Sequence, residues 1–146
     1  MTCLETYASL RVFSTSVRPD QITEMLGVEP TLGRPLDPDS KYRHRREHHY
    51  WNWESRATEQ STDGLAHINA IIGVLSGKEA ALEQLRSSGC DIDVCCYWVS
   101  SGQGGPSLQL QTMTELVRLG LPIWWDVYFG NTEEYEGAPK LSKGGA

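Results

Sequence analysis

The sequence predicts an α+β fold, a two-layer sandwich whose mostly antiparallel or mixed sheet of four to five strands carries helices on one face. Three observations predict it: four stretches that alternate apolar and polar residues, amphipathic stretches with stop signals between them, and a second sheet face rich in aromatic residues. Alternation with period two marks strands with one buried face, because successive side chains leave a strand on opposite sides. Strands joined through helices place those helices on the sheet, and helices gathered on one side leave the other side open.

The first strand sets Ala8, Leu10 and Val12 inward and Tyr7, Ser9, Arg11 and Phe13 outward. Val17-Arg18-Pro19-Asp20 reads as a helix start with Pro19 at the first helical position. Ile22, Met25 and Leu26 then recur at helical spacing, and Gly27 supplies a left-handed stop. Pro30, Gly33, Pro35 and Pro38 predict an irregular loop over residues 28–39, which runs into a basic, histidine-rich stretch at 41–49. The second strand turns Trp51 and Trp53 inward, against Tyr50, Asn52 and Glu54.

Thr62-Asp63-Gly64 precedes a helix with the inner stripe Leu65, Ile68, Ile72 and Leu75. Ser76 and Glu79 have the spacing of a capping box, so a further helix is expected there, with Ala81, Leu82 and Leu85 inward and Gly89 ending it. In the third strand, residues 91–100, Ile92, Val94, Cys96 and Trp98 oppose Asp93, Cys95 and Tyr97. Residues 102–106 form a Gly-rich turn, and 107–110 a short extended piece. Thr112 and Glu115 repeat the capping-box spacing and open a helix with Met113, Leu116 and Val117 inward and Gly120 as its stop. The last strand, 122–129, sets Ile123, Trp125 and Val127 inward and Trp124, Asp126 and Tyr128 outward. One domain is expected over residues 1–129, followed by a polar, flexible tail at 130–146.

With 146 residues the chain is long enough for one self-sufficient core. Its formal net charge of -6 gives no long-range attraction toward phosphate backbones or anionic lipid. No apolar run approaches the ~20 residues that span a bilayer, and no basic-then-apolar leader opens the chain. Neither a membrane nor a nucleic acid is therefore the expected partner, and the cytoplasm is the expected location. The four cysteines include no C-x-x-C pair, and the adjacent Cys95 and Cys96 point to opposite faces, which suits reduced thiols. No cofactor is expected, and Cys95, on the outer face, is the thiol most open to reagents.

Several segments together resemble a family of small bacterial proteins, domain of unknown function 4279. They are Ala8-Ser9-Leu10-Arg11-Val12-Phe13, then Ile22-Thr23-Glu24-Met25-Leu26-Gly27-Val28-Glu29-Pro30-Thr31, then Trp51-Asn52-Trp53-Glu54-Ser55, and the stretch 116–128 with its Leu-Gly-Leu-Pro turn. The resemblance runs from Tyr7 to Phe129. It implies no reaction and no catalytic residues. The histidine density of 41–49 departs from the family's usual loop.

Candidate functional residues fall in two places. The outer face offers Tyr7, Arg11, Tyr50, Tyr97, Trp124, Asp126 and Tyr128 as a contact surface, since Trp, Tyr and Arg dominate energetic hot spots of interfaces. Arg11, on another strand, is a candidate partner for Asp126, either as a structural cross-strand ion pair or as an anchor for a ligand. The run 41–49 offers His44, His48 and His49 as weak candidate metal ligands, though their order lacks the His-Glu-x-x-His pattern. Its basic and aromatic residues also suit single-stranded nucleic acid, against which the acidic net charge weighs. No nucleophile-elbow pattern surrounds any serine. The leading expectation is a non-catalytic domain that binds a protein partner or a second copy of itself, an immunity-type protein being one variant. The alternative is a sensor or enzyme with a small-ligand or metal pocket near 41–49.

Overall fold

A computed structural model describes residues 3–130. The elements in order are β1 (Cys3–Ser14), α1 (Pro19–Leu26), β2 (Leu32–Arg34), α2 (Arg43–Glu47), β3 (His49–Glu54), a 3-10 turn (Ser55–Ala57), α3 (Gly64–Val74), α4 (Glu79–Ser87), β4 (Asp91–Ser100), α5 (Leu110–Leu119) and β5 (Ile123–Phe129). The expected tail at 130–146 lies, apart from Gly130, outside the described residues.

The strands form one five-stranded sheet in the order β2-β3-β1-β4-β5. All neighbours are antiparallel except β4 and β5, which run parallel and are joined through α5, so the sheet is mixed. This is the α+β architecture that the alternation predicts. β1 lies at the centre with partners on both sides, and its inward residues Leu10 and Val12 are 0 % exposed. They pack with Trp51, Ile22 and Leu26 of α1, Ile68 and Ile71 of α3, Leu82 and Leu85 of α4, and Leu116 and Leu119 of α5. Burying such side chains contributes roughly 1.5–3 kcal/mol each, which makes this layer the main source of stability. The Trp51 indole N–H still finds a partner, donating to the Thr23 hydroxyl at 3.0 Å.

Helix boundaries follow the stop signals more closely than the start signals. Pro19 opens α1, and Gly27, at φ 66°, ends it. Gly120 ends α5 at φ 67°, and there the guanidinium of Arg86 donates to the carbonyls of Leu119 and Gly120 at 2.5 and 3.0 Å. Asp63 caps α3 by accepting the Leu65 N–H at 3.1 Å. Neither predicted capping box forms. α4 starts at Glu79 with Lys78 as its N-cap, and the Glu79 carboxylate pairs with Arg118 instead of capping. α5 begins at Leu110, ahead of the expected position and in place of the extended piece at 107–110. Thr112 thus lies inside the helix, where its hydroxyl donates to the Asn69 side-chain carbonyl of α3 at 3.1 Å. That rotation buries Thr112, Leu116 and Leu119 and turns Met113 and Val117 outward, contrary to the sequence reading. In α3 the buried set is likewise rotated to Gly64, His67, Ile68 and Ile71, leaving Leu65 and Ile72 half-buried.

Two elements were not expected. Residues 32–34 form β2 within the proline-rich segment, pairing with Tyr50 to Asn52 of β3. Residues 43–47 form α2, a five-residue helix in the basic run.

A buried polar junction ties β1 to α3. The β1–β3 ladder ends at Ser9 and Glu54, and beyond it the Ser55 hydroxyl accepts the Ala8 N–H at 2.9 Å. Ser55 in turn lies 2.6 Å from Nδ1 of His67, whose Nε2 lies 2.8 Å from the Ser61 carbonyl. A carbonyl only accepts, so Nε2 carries the proton and Nδ1 accepts from Ser55. Ser55 and His67 thus each donate and accept, and both side chains are shut away from solvent at 0 and 1 % exposure. Ser55→Ala orphans the Ala8 N–H and the His67 Nδ1 together, and a loss of about 2–4 kcal/mol in urea unfolding is expected. An unchanged urea midpoint would refute this account of the junction.

Candidate functional site

None of the described α-helices covers the outer face of the sheet, yet most of its central side chains are buried. Tyr50 is 3 % exposed, Asn52 2 %, Tyr97 6 % and Tyr7 8 %. They cover one another. The Tyr7 and Tyr97 rings, on directly opposed residues of β1 and β4, lie 4.9 Å apart, and Tyr128 of β5 lies 5.4 Å from Tyr97. Arginines close the gaps from above: Arg56 lies 4.2 Å over Tyr7, Arg34 5.0 Å over Tyr50, and Arg11 5.3 Å over Phe13. Burial pushes the Tyr7 and Tyr50 phenols above their ordinary range. Tyr7, Tyr50 and Tyr97 therefore share one face, as the sequence indicates, but they are its packing and offer little surface to a partner.

Arg11 does not pair with Asp126. The register sets it directly opposite Asp93, to which it donates two hydrogen bonds of 2.7 Å each. Burial works against the Arg11 charge, but the Asp93 hydrogen bonds and charge outweigh it and raise the guanidinium above its ordinary value. Asp126 lies one strand further out, opposite Tyr97, and is half-buried. Cys95, on this face, is half-buried and unpaired, and its thiol is raised by burial and then by the charges of Asp126 and Asp93 against the opposing pull of Arg11. Being raised, it is a sluggish nucleophile.

The surface that remains accessible is β5. Trp124 is 62 % exposed, Tyr128 42 % and Phe129 81 %. Trp125 and Val127, expected inward, are also 38 and 45 % exposed. Their parity is as predicted, but α5 packs against α3, and the helix layer stops short of the last strand. Leu110, Met113 and Val117 add an exposed apolar stripe on α5. The ladder bonds show which backbone groups of β5 are free. Val94 N–H donates to the Pro122 carbonyl, and Gly130 N–H to the Ser100 carbonyl. Even-numbered residues thus face β4, and Ile123, Trp125, Val127 and Phe129 direct their N–H and C=O groups to the open edge. The opposite edge is different. β2 has three residues, with Pro30 before it and Pro35 directly after it.

Beside the end of β5 lies an open hollow of about 560 Å³, lined by residues 100–104, Phe129 and Gly130. Besides the Phe129 ring, its walls are glycine backbone and the side chains of Ser100, Ser101 and Gln103, with no acid or base among the lining residues. Among the described residues there is no group of three or more His, Cys, Asp or Glu side chains able to hold a metal ion. His44 lies exposed beside Tyr42, and His49 is buried, its Nδ1 accepting the Leu36 N–H at 3.0 Å, so the structure brings no metal site together from the run 41–49. The one Ser–His hydrogen bond among the described residues, Ser55 with His67, is the sealed junction described above.

The fold and site define a small α+β domain with one bare sheet edge and no assembled catalytic group among the described residues. A family model described as a domain of unknown function (DUF4279) matches residues 4–130, and the chain belongs to that family. Neither the curated proteins nor the solved structures compared with it gave a match. No helix of the described residues is long and apolar enough to cross a membrane.

Two predictions follow from these contacts. A double-mutant cycle of Arg11→Met with Asp93→Asn should give a coupling of about 1–2 kcal/mol in urea unfolding, and Arg11→Met with Asp126→Asn a coupling near zero. The reverse ranking would restore the Asp126 pairing. His49 is held below its ordinary 6.5 by burial and then by the charge of Arg18, with Asp20 opposing. As pH falls through 6.5 only the unfolded chain gains that proton, so its stabilising contribution is full above 6.5 and declines toward the lower folded value. His49→Asn, which offers an acceptor to the Leu36 N–H without titrating, should flatten the fall in urea midpoint between about pH 7 and pH 5.

Proposed function

We propose that the protein is an interaction module that acts through the free edge of β5, and that its partner is a second copy of the same chain. The observation that carries this reading is the asymmetry of the two sheet edges. Exposed edges are ordinarily blunted by shortness, proline, lysine or a bulge. β2 has the first two protections, whereas β5 has seven residues, five of them exposed, and a single charge, Asp126. An edge so built favours addition of another strand.

A copy of β5 fits this edge better than an arbitrary strand does. In an antiparallel pair, residues directly opposite share a face, so a two-fold axis must pass through a single residue position. Centred on Asp126 it would set two carboxylates against each other. Centred on Val127 it pairs Trp125 with Phe129 on one face and Asp126 with Tyr128 on the other. It also uses the outward N–H and C=O groups of Trp125, Val127 and Phe129 from both copies. The most exposed aromatic of the strand is thereby covered, at 81 % exposure in the single chain. A reducing compartment, the cytoplasm, belongs to this reading, supported by four cysteines that stand as free thiols.

Val127→Pro is the discriminating variant. Its N–H points to the open edge, so proline removes no bond to β4 but blocks strand addition. Light scattering at about 100 µM should give the mass of two chains for the native protein and of one chain for Val127→Pro and Val127→Lys, with unchanged circular dichroism. A one-chain mass for the native protein would overturn the self-pairing, and a two-chain mass in both variants would move the interface elsewhere.

A further inference from the structure

The densest positive charge of this acidic chain lies around α2, and strand pairing through β5 makes no use of it. Arg34, at the end of β2, holds its guanidinium carbon 5.0 Å from the Tyr50 ring centroid. Arg45, on α2, lies 5.1 Å over the ring of Tyr42, which also has the Lys41 ammonium at 5.0 Å. The Asp37 N–H donates to the Arg45 carbonyl at 2.8 Å and so draws α2 back toward the segment that leaves β2. Each other described arginine donates to a carboxylate or a backbone carbonyl. Arg34 and Arg45 have no such acceptor among the described residues. The Nε–H of each is closed off from solvent with no hydrogen-bond partner.

Two carboxylates of this segment meet other donors. Asp37 accepts the Asp39 N–H at 3.0 Å, and Glu47 takes Arg43 at 2.9 Å. Burial first, and the charge of Arg45 second, hold the Arg34 guanidinium below its ordinary value, so the two cations repel each other. Two guanidinium groups on segments that the Asp37–Arg45 backbone hydrogen bond ties together, each with an unpartnered Nε–H, are in a chain of net charge -6 an unbalanced arrangement that an added oxyanion corrects.

We propose that Arg34 and Arg45 form a binding site for the phosphoryl group of a small molecule, with the half-exposed Tyr42 ring beside it. A phosphoryl group carries a charge of roughly -1.5 to -2 near neutral pH and three strong acceptor oxygens, which matches two guanidinium forks. A carboxylate brings one charge and leaves the pair half-balanced. A nucleic-acid strand adds phosphates that the rest of this acidic surface repels.

Thermal unfolding with inorganic phosphate and with adenosine monophosphate, against sodium chloride of matched ionic strength, tests the site. Millimolar phosphate should raise the Tm of the native protein by about 2–4 °C over chloride. Arg45→Gln, on an exposed short helix, should abolish that rise while keeping or slightly raising the Tm in chloride, because it relieves the repulsion. Arg34→Gln should abolish the rise as well. A larger shift with adenosine monophosphate supports the site with a ring stacked on Tyr42, and an equal shift supports recognition of the phosphoryl group alone. No difference between phosphate and chloride in the native protein, or a rise that survives in Arg45→Gln, would overturn the proposal.

Discussion

Keeping water off a sheet face that none of the described α-helices covers is the constraint on which the rest of this structure depends. On the helix side the task is done by Leu10, Val12 and Trp51 beneath a layer of apolar residues. On the other side, among the described residues, the cover comes from the strands' own side chains and from Arg56 of the 3-10 turn. Long arginines lie over tyrosine and phenylalanine rings, a position that gives their apolar stems to packing. Ion pairs hold the lids in place, Arg11 by Asp93 and Arg56 by Glu54 at 2.6 Å. The face looks like a binding surface in sequence because it is made of the residues that binding surfaces use. Here those residues are already engaged with one another.

The same constraint explains why the accessible surface lies at one margin. The helix layer covers β1, β3 and β4, and α5 leans on α3 through Thr112 and Asn69. Among the described residues β5 is thus largely exposed on both faces and free along one edge. Its parallel pairing with β4 follows from the α5 crossover, and it is the one parallel junction in an otherwise antiparallel sheet. The arrangement that completes the sheet leaves its last strand without a layer.

Much of this was legible in the sequence because side-chain parity is a local property. The inward sets of β1, β3 and β4 and the stops at Gly27 and Gly120 depend only on neighbouring residues. What was not legible depends on register or on distant partners. β2 is hidden because Pro30, Gly33 and Pro35 read as loop, and its three residues become a strand only by pairing with β3. Ser76 and Thr112 have capping spacing, but the fold begins α4 later and α5 earlier, and no local pattern records that shift. The partner of Arg11 is Asp93 because register, unseen in sequence, sets the two opposite. The Ser55–His67 junction was missed because a lone helical histidine gives no sign of the serine that its fold brings within 2.6 Å. Solvent exposure was the least legible quantity. It separates Tyr50 from Trp124, which share a parity and differ only in what surrounds them.

The protection of β2 has a consequence of its own. A sheet with two hospitable margins can grow head to tail without limit, as fibrillar assemblies do. With Pro30 and Pro35 guarding three residues at one margin, that margin is closed to an added strand, and the proposed self-pairing would exhaust the other. On that proposal the prolines around β2 would act as a terminator of polymerisation, and the aromatic richness of β5 would be tolerable because the chain carries it once.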